Sequence, residues 1–135
     1  MKKTSFLGKI YVKKSDIRDS GRGVFAKVDI QKGEIVEECP IIEIPKDDLS
    51  PISESVLVNY IFFFGKKKER AGLILGFGSL YNHSEEPNVG FEVKHGEGVV
   101  EFVALEDIKK DRELTINYKG SDNLGNKSLP LWFEK

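Results

Sequence analysis

The stretch Gly78-Ser79-Leu80-Tyr81-Asn82-His83-Ser84-Glu85-Glu86-Pro87-Asn88 is the part of the sequence that packing explains least. It sets an aromatic ring, amides, an imidazole, hydroxyls and carboxylates side by side and then stops at a proline. A connecting loop needs turn formers, not this density of polar function. The flanks are of another kind. After it, Val89, Phe91 and Val93 alternate with Gly90, Glu92 and Lys94, and Lys94-His95-Gly96-Glu97-Gly98 leads into the run from Val99 to Leu105. That alternation with a glycine-rich turn predicts a hairpin. Before it, Tyr60-Ile61-Phe62-Phe63-Phe64 and Leu73-Ile74-Leu75 predict a second hairpin, joined through Gly65-Lys66-Lys67-Lys68-Glu69-Arg70. The three lysines read as a solvated turn that also blunts a sheet edge.

Further out the pattern stays that of short strands. Ile10-Tyr11-Val12, Gly23-Val24-Phe25-Ala26, Glu34-Ile35-Val36 and Ile41-Ile42-Glu43-Ile44, closed by Pro45, are extended pieces. One helix is expected, from Ile52 to Asn59, with Ser50-Pro51 able to cap it. Lys46-Asp47-Asp48-Leu49-Ser50-Pro51 reads as a loop. An internal echo links Ala26-Lys27-Val28-Asp29-Ile30-Gln31-Lys32-Gly33-Glu34-Ile35-Val36 to the run from Ala104 to Thr115, with one extra residue expected in the second copy. Each copy has a strand end, an Asp-Ile turn, a polar corner and a new strand. Two similar β-corners packed together are therefore expected in a mostly-β single domain spanning 1–135.

Composition narrows the function classes. With 135 residues, 39% hydrophobic and 32% charged, the chain can bury a core without a disulfide or metal staple. Basic and acidic side chains number 21 and 22, a balance that argues against direct nucleic-acid binding. The single cysteine, Cys39, excludes a disulfide framework and a multi-cysteine zinc site, and reads as a small buried hydrophobe. The longest apolar run, around Val56 to Phe64, is about half of the ~20 residues a membrane helix requires. Neither that run nor the Met1-Lys2-Lys3 start predicts a membrane segment or a signal peptide, so a cytoplasmic setting is expected.

Two other segments carry more than packing logic. In Ser20-Gly21-Arg22-Gly23-Val24-Phe25 two glycines flank one residue and let the backbone come close to a ligand. Glu113-Leu114-Thr115-Ile116-Asn117-Tyr118 reads as a strand ending in a tyrosine. A metal set of His83 with Glu85, Glu86 and His95 lacks any recognised ligand spacing, and no metal is expected.

In chain order, Gly21-Arg22-Gly23, Asn82-His83-Ser84-Glu85-Glu86-Pro87-Asn88 and Glu113-Leu114-Thr115-Ile116-Asn117-Tyr118 resemble the Gly-x-Gly, Asn-His-Ser-x-x-Pro-Asn and Glu-Leu-Thr-x-x-Tyr motifs of the SET domain of protein-lysine methyltransferases. The resemblance covers the chain from about residue 9 to Tyr118. It implies a β-clip of short curved sheets with few short helices and a C-terminal pseudoknot that brings the motifs together, a core over about 9–120 and a lid segment over 121–135. It also implies transfer of a methyl group from S-adenosylmethionine to a lysine amine of a protein substrate such as a histone or another basic protein. Tyr118 is then the catalytic residue. Gly21, Arg22 and Gly23 would meet the methionine part of the cofactor, Asn82 and His83 its amino-acid end and adenine. Trp132 and Phe133 would fold over it, or anchor the core. Tyr60 and Tyr81 are the candidate walls of the lysine channel.

Ile116 stands where the family commonly has a Phe or Tyr that limits the number of methyls added. The family's aromatic-x-Gly is replaced by Glu38-Cys39-Pro40, and its cysteine-rich zinc cluster is absent from this sequence. The missing zinc cluster and accessory domains lead to the expectation of a bacterial, archaeal or viral source, with a nucleoid-associated or host protein among the expected substrates. Glu37, Glu38, Glu85 and Glu86 are expected to form an acidic rim for a lysine-rich tail. Dimerisation of so small a core is one expected source of selectivity. The alternatives are a non-catalytic module that binds a protein tail or small ligand, and a methyltransferase acting on something other than protein lysine.

Overall fold

The structure is a computed structural model that describes residues 4–5, 8–64, 69–94 and 96–118. Among these, the chain runs through β1 (Thr4–Ser5), β2 (Ile10–Lys14), β3 (Arg22–Ala26), β4 (Ile35–Ile44), α1 (Lys46–Ser53), β5 (Ile61–Phe64), β6 (Arg70–Ile74), β7 (Asn82–His83), β8 (Val89–Lys94), β9 (Val99–Ala104) and β10 (Glu113–Ile116). Two short 3-10 helices, Val56–Tyr60 and Gly78–Leu80, precede β5 and β7. The strands form two sheets, ordered β1-β2-β3-β10-β7 and β5-β6-β4-β9-β8. The fold is mostly β, as expected.

Both predicted hairpins are present. β8 and β9 pair antiparallel from Val89↔Ala104 to Lys94↔Val99, and β5 and β6 from Ile61↔Leu73 to Phe64↔Arg70. Their alternation puts Val89, Phe91, Val93, Val100, Phe102 and Ala104 on one buried face. Three expectations need correction. The two pieces 34–36 and 41–44 are one strand, β4, which continues through Pro40. Residues 35–40 pair with β9 and 41–44 with β6, so Pro40, which has no N–H to give, sits where the strand changes partner.

The helix lies earlier than expected. Residues 46–53, whose first half reads as a loop, form α1, and the expected helix from Ile52 is only its last turn followed by the 3-10 turn. Asp47 and Asp48 fall in the first turn of α1, where the helix dipole favours negative charge. Pro51 lies past the first turn, so the helix forgoes the one intrahelical bond its N–H would have made. The helix ends at Ser53, and Ser55 caps the 3-10 turn, its hydroxyl accepting from Leu57 N at 3.2 Å.

The echoed corners pack against each other as a pseudo-two-fold pair, and no residue is inserted in the second. Ile30 and Ile108 exchange both main-chain hydrogen bonds at 2.8 Å. Asp111 N donates to Ala26 O, and Gly33 N to Ala104 O, while Ala26 N donates to Arg112 O and Ala104 N to Glu34 O. Asp29 Oδ1 accepts from Lys110 N at 2.8 Å and Asp107 Oδ1 from Lys32 N at 2.9 Å. Even the positive φ is shared, +88° at Gly33 and +70° at Asp111. The core gathers between the sheets around Val24, Ile30, Val36, Cys39, Ile108 and Leu114, all buried.

Candidate functional site

The site is assembled along β10. One edge of this strand pairs antiparallel with β3, at Glu113↔Phe25 and Leu114↔Val24. The other edge carries parallel β7, at Thr115↔Asn82 and Ile116↔His83. Asn88 completes that edge. Its Nδ2 donates to Glu113 O at 2.9 Å, and its Oδ1 accepts from Thr115 N at 2.9 Å. At 4% exposure both polar ends of such an amide need a partner, and each has one on β10, where the side chain takes the place of a neighbouring strand. Ser84 N donates to Ile116 O and Tyr118 N to His83 Nδ1, which continues the stitching to the tyrosine.

β3 reaches the same place because Gly23 has no side chain. A Cβ there would lie 2.3 Å from Glu113 Oε2 and 3.0 Å from Asn82 Nδ2. In its absence Asn82 Nδ2 donates to Arg22 O at 2.9 Å and to Glu113 Oε2 at 2.8 Å, while Ser15 Oγ donates to Glu113 Oε1 at 2.7 Å. Both Nδ2 hydrogens are committed, so the group Asn82 offers a ligand is its Oδ1, an acceptor. Glu113 thereby ties three distant chain segments together. It was legible only as a motif residue; that the carboxylate turns inward is explained by the glycine opposite it.

Tyr118 is half-buried, and its hydroxyl donates to Tyr81 O at 2.5 Å. Burial, with the charge of Glu113 adding to it, pushes the phenol up to about 12, so the proton stays in place at neutral pH. Its ring lies 5.1 Å from that of His83. Because His83 Nδ1 accepts the Tyr118 amide, the proton of the neutral imidazole sits on Nε2, 3.4 Å from Glu85 Oε1.

A cavity of about 530 Å³ opens beside these residues, lined by Asp19, Ser20, Gly21, Arg22, Asn59, Tyr60, Ser79, Leu80, Asn82 and Tyr118. Of the residues singled out from sequence, Gly21, Arg22, Asn82, Tyr60 and Tyr118 thus line one space, with Gly23 and His83 holding its wall. Gly21, at φ +65° with nothing within 4 Å of where a Cβ would stand, leaves the main chain approachable. Ser79 fixes the opposite contribution, its hydroxyl donating to Ile74 O at 2.9 Å and reaching Tyr60 O at 3.4 Å.

Two expected channel residues do not present their side chains there. Tyr81 is 1% exposed, stacked 4.5 Å from Phe102, and gives the site its carbonyl instead of its ring. Ile116 is buried in the core. Glu37 leaves the expected acidic rim for a physical reason: its carboxylate faces inward, accepting from Tyr81 Oη at 2.9 Å and Phe77 N at 2.8 Å. Glu38, Glu85 and Glu86 are exposed. Cys39 is buried beside Glu37; burial and that carboxylate raise its thiol well above the ordinary value, which makes it inert. Trp132, Phe133, His95 and the lysine turn 66–68 lie outside the described residues.

The SET-domain family model matches residues 21–119. The chain is 32% identical over 123 residues to a fission yeast (Schizosaccharomyces pombe) protein named histone-lysine N-methyltransferase, H3 lysine-37 specific, covering 88% of this chain and 76% of that protein. A solved Plasmodium falciparum structure described as a histone methyltransferase is 35% identical, with a TM-score of 0.63, covering 84% of this chain and 95% of that one. Chaetomium thermophilum Polycomb repressive complex 2 bound to S-adenosylmethionine gives a TM-score of 0.70 at 28% identity, covering 88% of this chain but 16% of that one.

Proposed function

The chain belongs to the SET-domain family, and from that membership we infer that it is an S-adenosylmethionine-dependent protein-lysine methyltransferase whose substrate is a basic, histone-type tail. The observation that carries the reading is the meeting of Tyr118 with Asn82, Arg22 and Gly21 around one cavity, three separate motifs converging on a space of about 530 Å³. That volume lies within the range of small-molecule sites, roughly 300–1,000 Å³.

The residues present fit the cofactor. Gly21 lacks the side chain that would fill the approach to the main chain, and Asn82 Oδ1 is an acceptor suited to an ammonium group. The Arg22 side chain is exposed at the same edge, where a guanidinium suits a carboxylate. S-adenosylmethionine supplies an electrophilic methyl on a sulfonium. The protein must align that methyl with an amine, and alignment of two bound partners supplies most of such a rate enhancement.

A lysine amine attacks only when neutral, yet its ordinary pKa is about 10.4. The half-buried surroundings of Tyr60, Leu80 and Tyr118 disfavour the ammonium by desolvation. Tyr118 keeps its own proton, being held up to about 12, so its role is to orient and polarise and not to act as a base. The hydrogen bond to Tyr81 O fixes the direction of its oxygen.

The basic-tail reading is supported by the histone methyltransferase relatives and by exposed Glu85 and Glu86, which lie just after His83 at the edge of the site. The test is labelled-methyl transfer from S-adenosylmethionine to a panel of histones and acidic control proteins. Transfer to the basic proteins is expected, weakened by salt and by Glu85→Lys with Glu86→Lys. Tyr118→Phe is expected to lower it by about 10²–10³-fold, in the range seen when one preorganised donor is removed. Absence of transfer by a protein that binds the cofactor would favour the non-catalytic module.

A further inference from the structure

Glu37 sits outside the cavity, on β4, and nothing in the reaction itself calls for it. It is nevertheless a carboxylate turned into the protein interior, where an acid is costly unless its oxygens are paired. Its two oxygens are spent on the two ends of one short segment. Oε2 accepts from Phe77 N at 2.8 Å, just before the 3-10 turn Gly78–Leu80, and Oε1 accepts from Tyr81 Oη at 2.9 Å, just after it. The chain is shaped to allow this: Gly76 has φ +64°, and a Cβ there would lie 2.7 Å from Glu37 Oε2. Between those anchors lie Ser79 and Leu80, which line the cavity. At the far anchor, Tyr81 O accepts the hydroxyl of Tyr118 at 2.5 Å.

We propose that Glu37 is a remote positioning residue for the methyl transfer: by clamping both ends of the 3-10 turn Gly78–Leu80 it fixes the Tyr81 carbonyl, and through it the orientation of the Tyr118 hydroxyl. The route is short and continuous, Glu37 to the Tyr81 phenol, through that residue's stacked ring to its own main-chain oxygen, then to Tyr118. The Tyr81 ring, 1% exposed and 4.5 Å from Phe102, transmits the constraint because it has no room to rotate. The inference rests on the lysine methyltransferase reading for its catalytic consequence, but its structural content does not.

The isosteric variant Glu37→Gln, chosen to keep the fold, tests it, alone and combined with Tyr118→Phe. The first readout uses the free protein labelled with ¹³C at the tyrosine Cζ position, which gives one signal for each of the four tyrosines. Glu37→Gln is expected to move the signals of Tyr81 and Tyr118 and to leave those of Tyr11 and Tyr60 in place. Movement of the Tyr81 signal alone overturns the proposal, whether or not the protein transfers methyl groups. The second readout is kcat for methyl transfer in a double-mutant cycle. Glu37→Gln is expected to lower kcat about tenfold, as a small misplacement of a reacting group does, with little change in cofactor affinity. In the Tyr118→Phe background the same substitution is expected to change kcat less than twofold. An equal loss in both backgrounds means Glu37 acts on stability alone and overturns the proposal. A wild-type protein without transfer defeats the functional reading, and the tyrosine signals still decide the relay.

Discussion

The two corners, 26–34 and 104–112, share a backbone and differ in the strands they feed. Each gives its partner the same main-chain hydrogen bonds, and each receives an aspartate cap from the other. The first corner leads into β4, whose Val36 and Cys39 disappear into the core. The second leads into β10, whose free edge meets Asn82, His83 and Asn88. The corner pair is therefore a frame, and the chemistry lies where one copy leads into a segment that has no equivalent beside the other. Symmetry supplies rigidity; the departure from it supplies the site.

Substitutions on the two sides of that division should separate into two kinds of effect. Gly23→Ala acts on the site side and is the most damaging. Its Cβ would stand 2.3 Å from Glu113 Oε2, so the Ser15–Glu113–Asn82 contacts must give way. Overpacking of that kind costs about 1–3 kcal/mol, and cofactor binding should fall with it. Thermal unfolding and calorimetry on the same samples check both. Retained binding would show that the Glu113–Asn82 contact does not shape the cavity.

Gly33→Ala acts on the frame side. Nothing lies within 4 Å of the added Cβ, so the cost is the left-handed backbone alone, at φ +88°. A loss of roughly 1–2 kcal/mol is expected, with cofactor affinity unchanged. Asp111→Gly, at the matching position, should have the smallest effect. It relieves the strain of a side chain at φ +70° but removes the carboxylate that accepts from Tyr11 Oη at 2.7 Å. The lost hydrogen bond to a charged group, about 1.5–3 kcal/mol, is then offset in part by roughly 1–2 kcal/mol of relieved strain, and a net loss of about 1 kcal/mol or less is expected. A larger loss from Asp111→Gly than from Gly33→Ala in denaturant unfolding would mean the corners are not energetically equivalent.

The same division explains what could be read from sequence. The hairpins were legible because alternation of Val89, Phe91 and Val93 has the period of a half-buried strand. The corner pair was legible as an echo, although the extra residue assigned to its second copy is not there. The motif residues Gly21, Arg22, Asn82 and Tyr118 were legible as members of one cavity by resemblance to the SET domain. What escaped were features set by tertiary contact. The two-residue strand β7 has no pattern of its own, and exists because β10 lies beside it. Pro40 hides the continuity of β4, since its missing N–H matters only if a partner expects it. Lys46-Asp47-Asp48 has the composition of a loop and becomes a helix start through the dipole. Tyr81 and Glu37 look like surface or channel residues until each is seen to satisfy the other in the interior.

Asn82, held by Glu113 and by the main chain of Arg22, is the residue proposed to recognise the cofactor in the cavity beside Tyr118. Calorimetric titration with S-adenosylhomocysteine, comparing wild type with Asn82→Ala, tests it most directly and requires no knowledge of the substrate. Saturable binding by the wild type, weakened about tenfold or more in Asn82→Ala, is the predicted result, since a lost hydrogen bond to a charged group is worth about 1.5–3 kcal/mol. A folded wild-type protein that binds no cofactor, or an Asn82→Ala variant that binds as tightly as wild type, would contradict it.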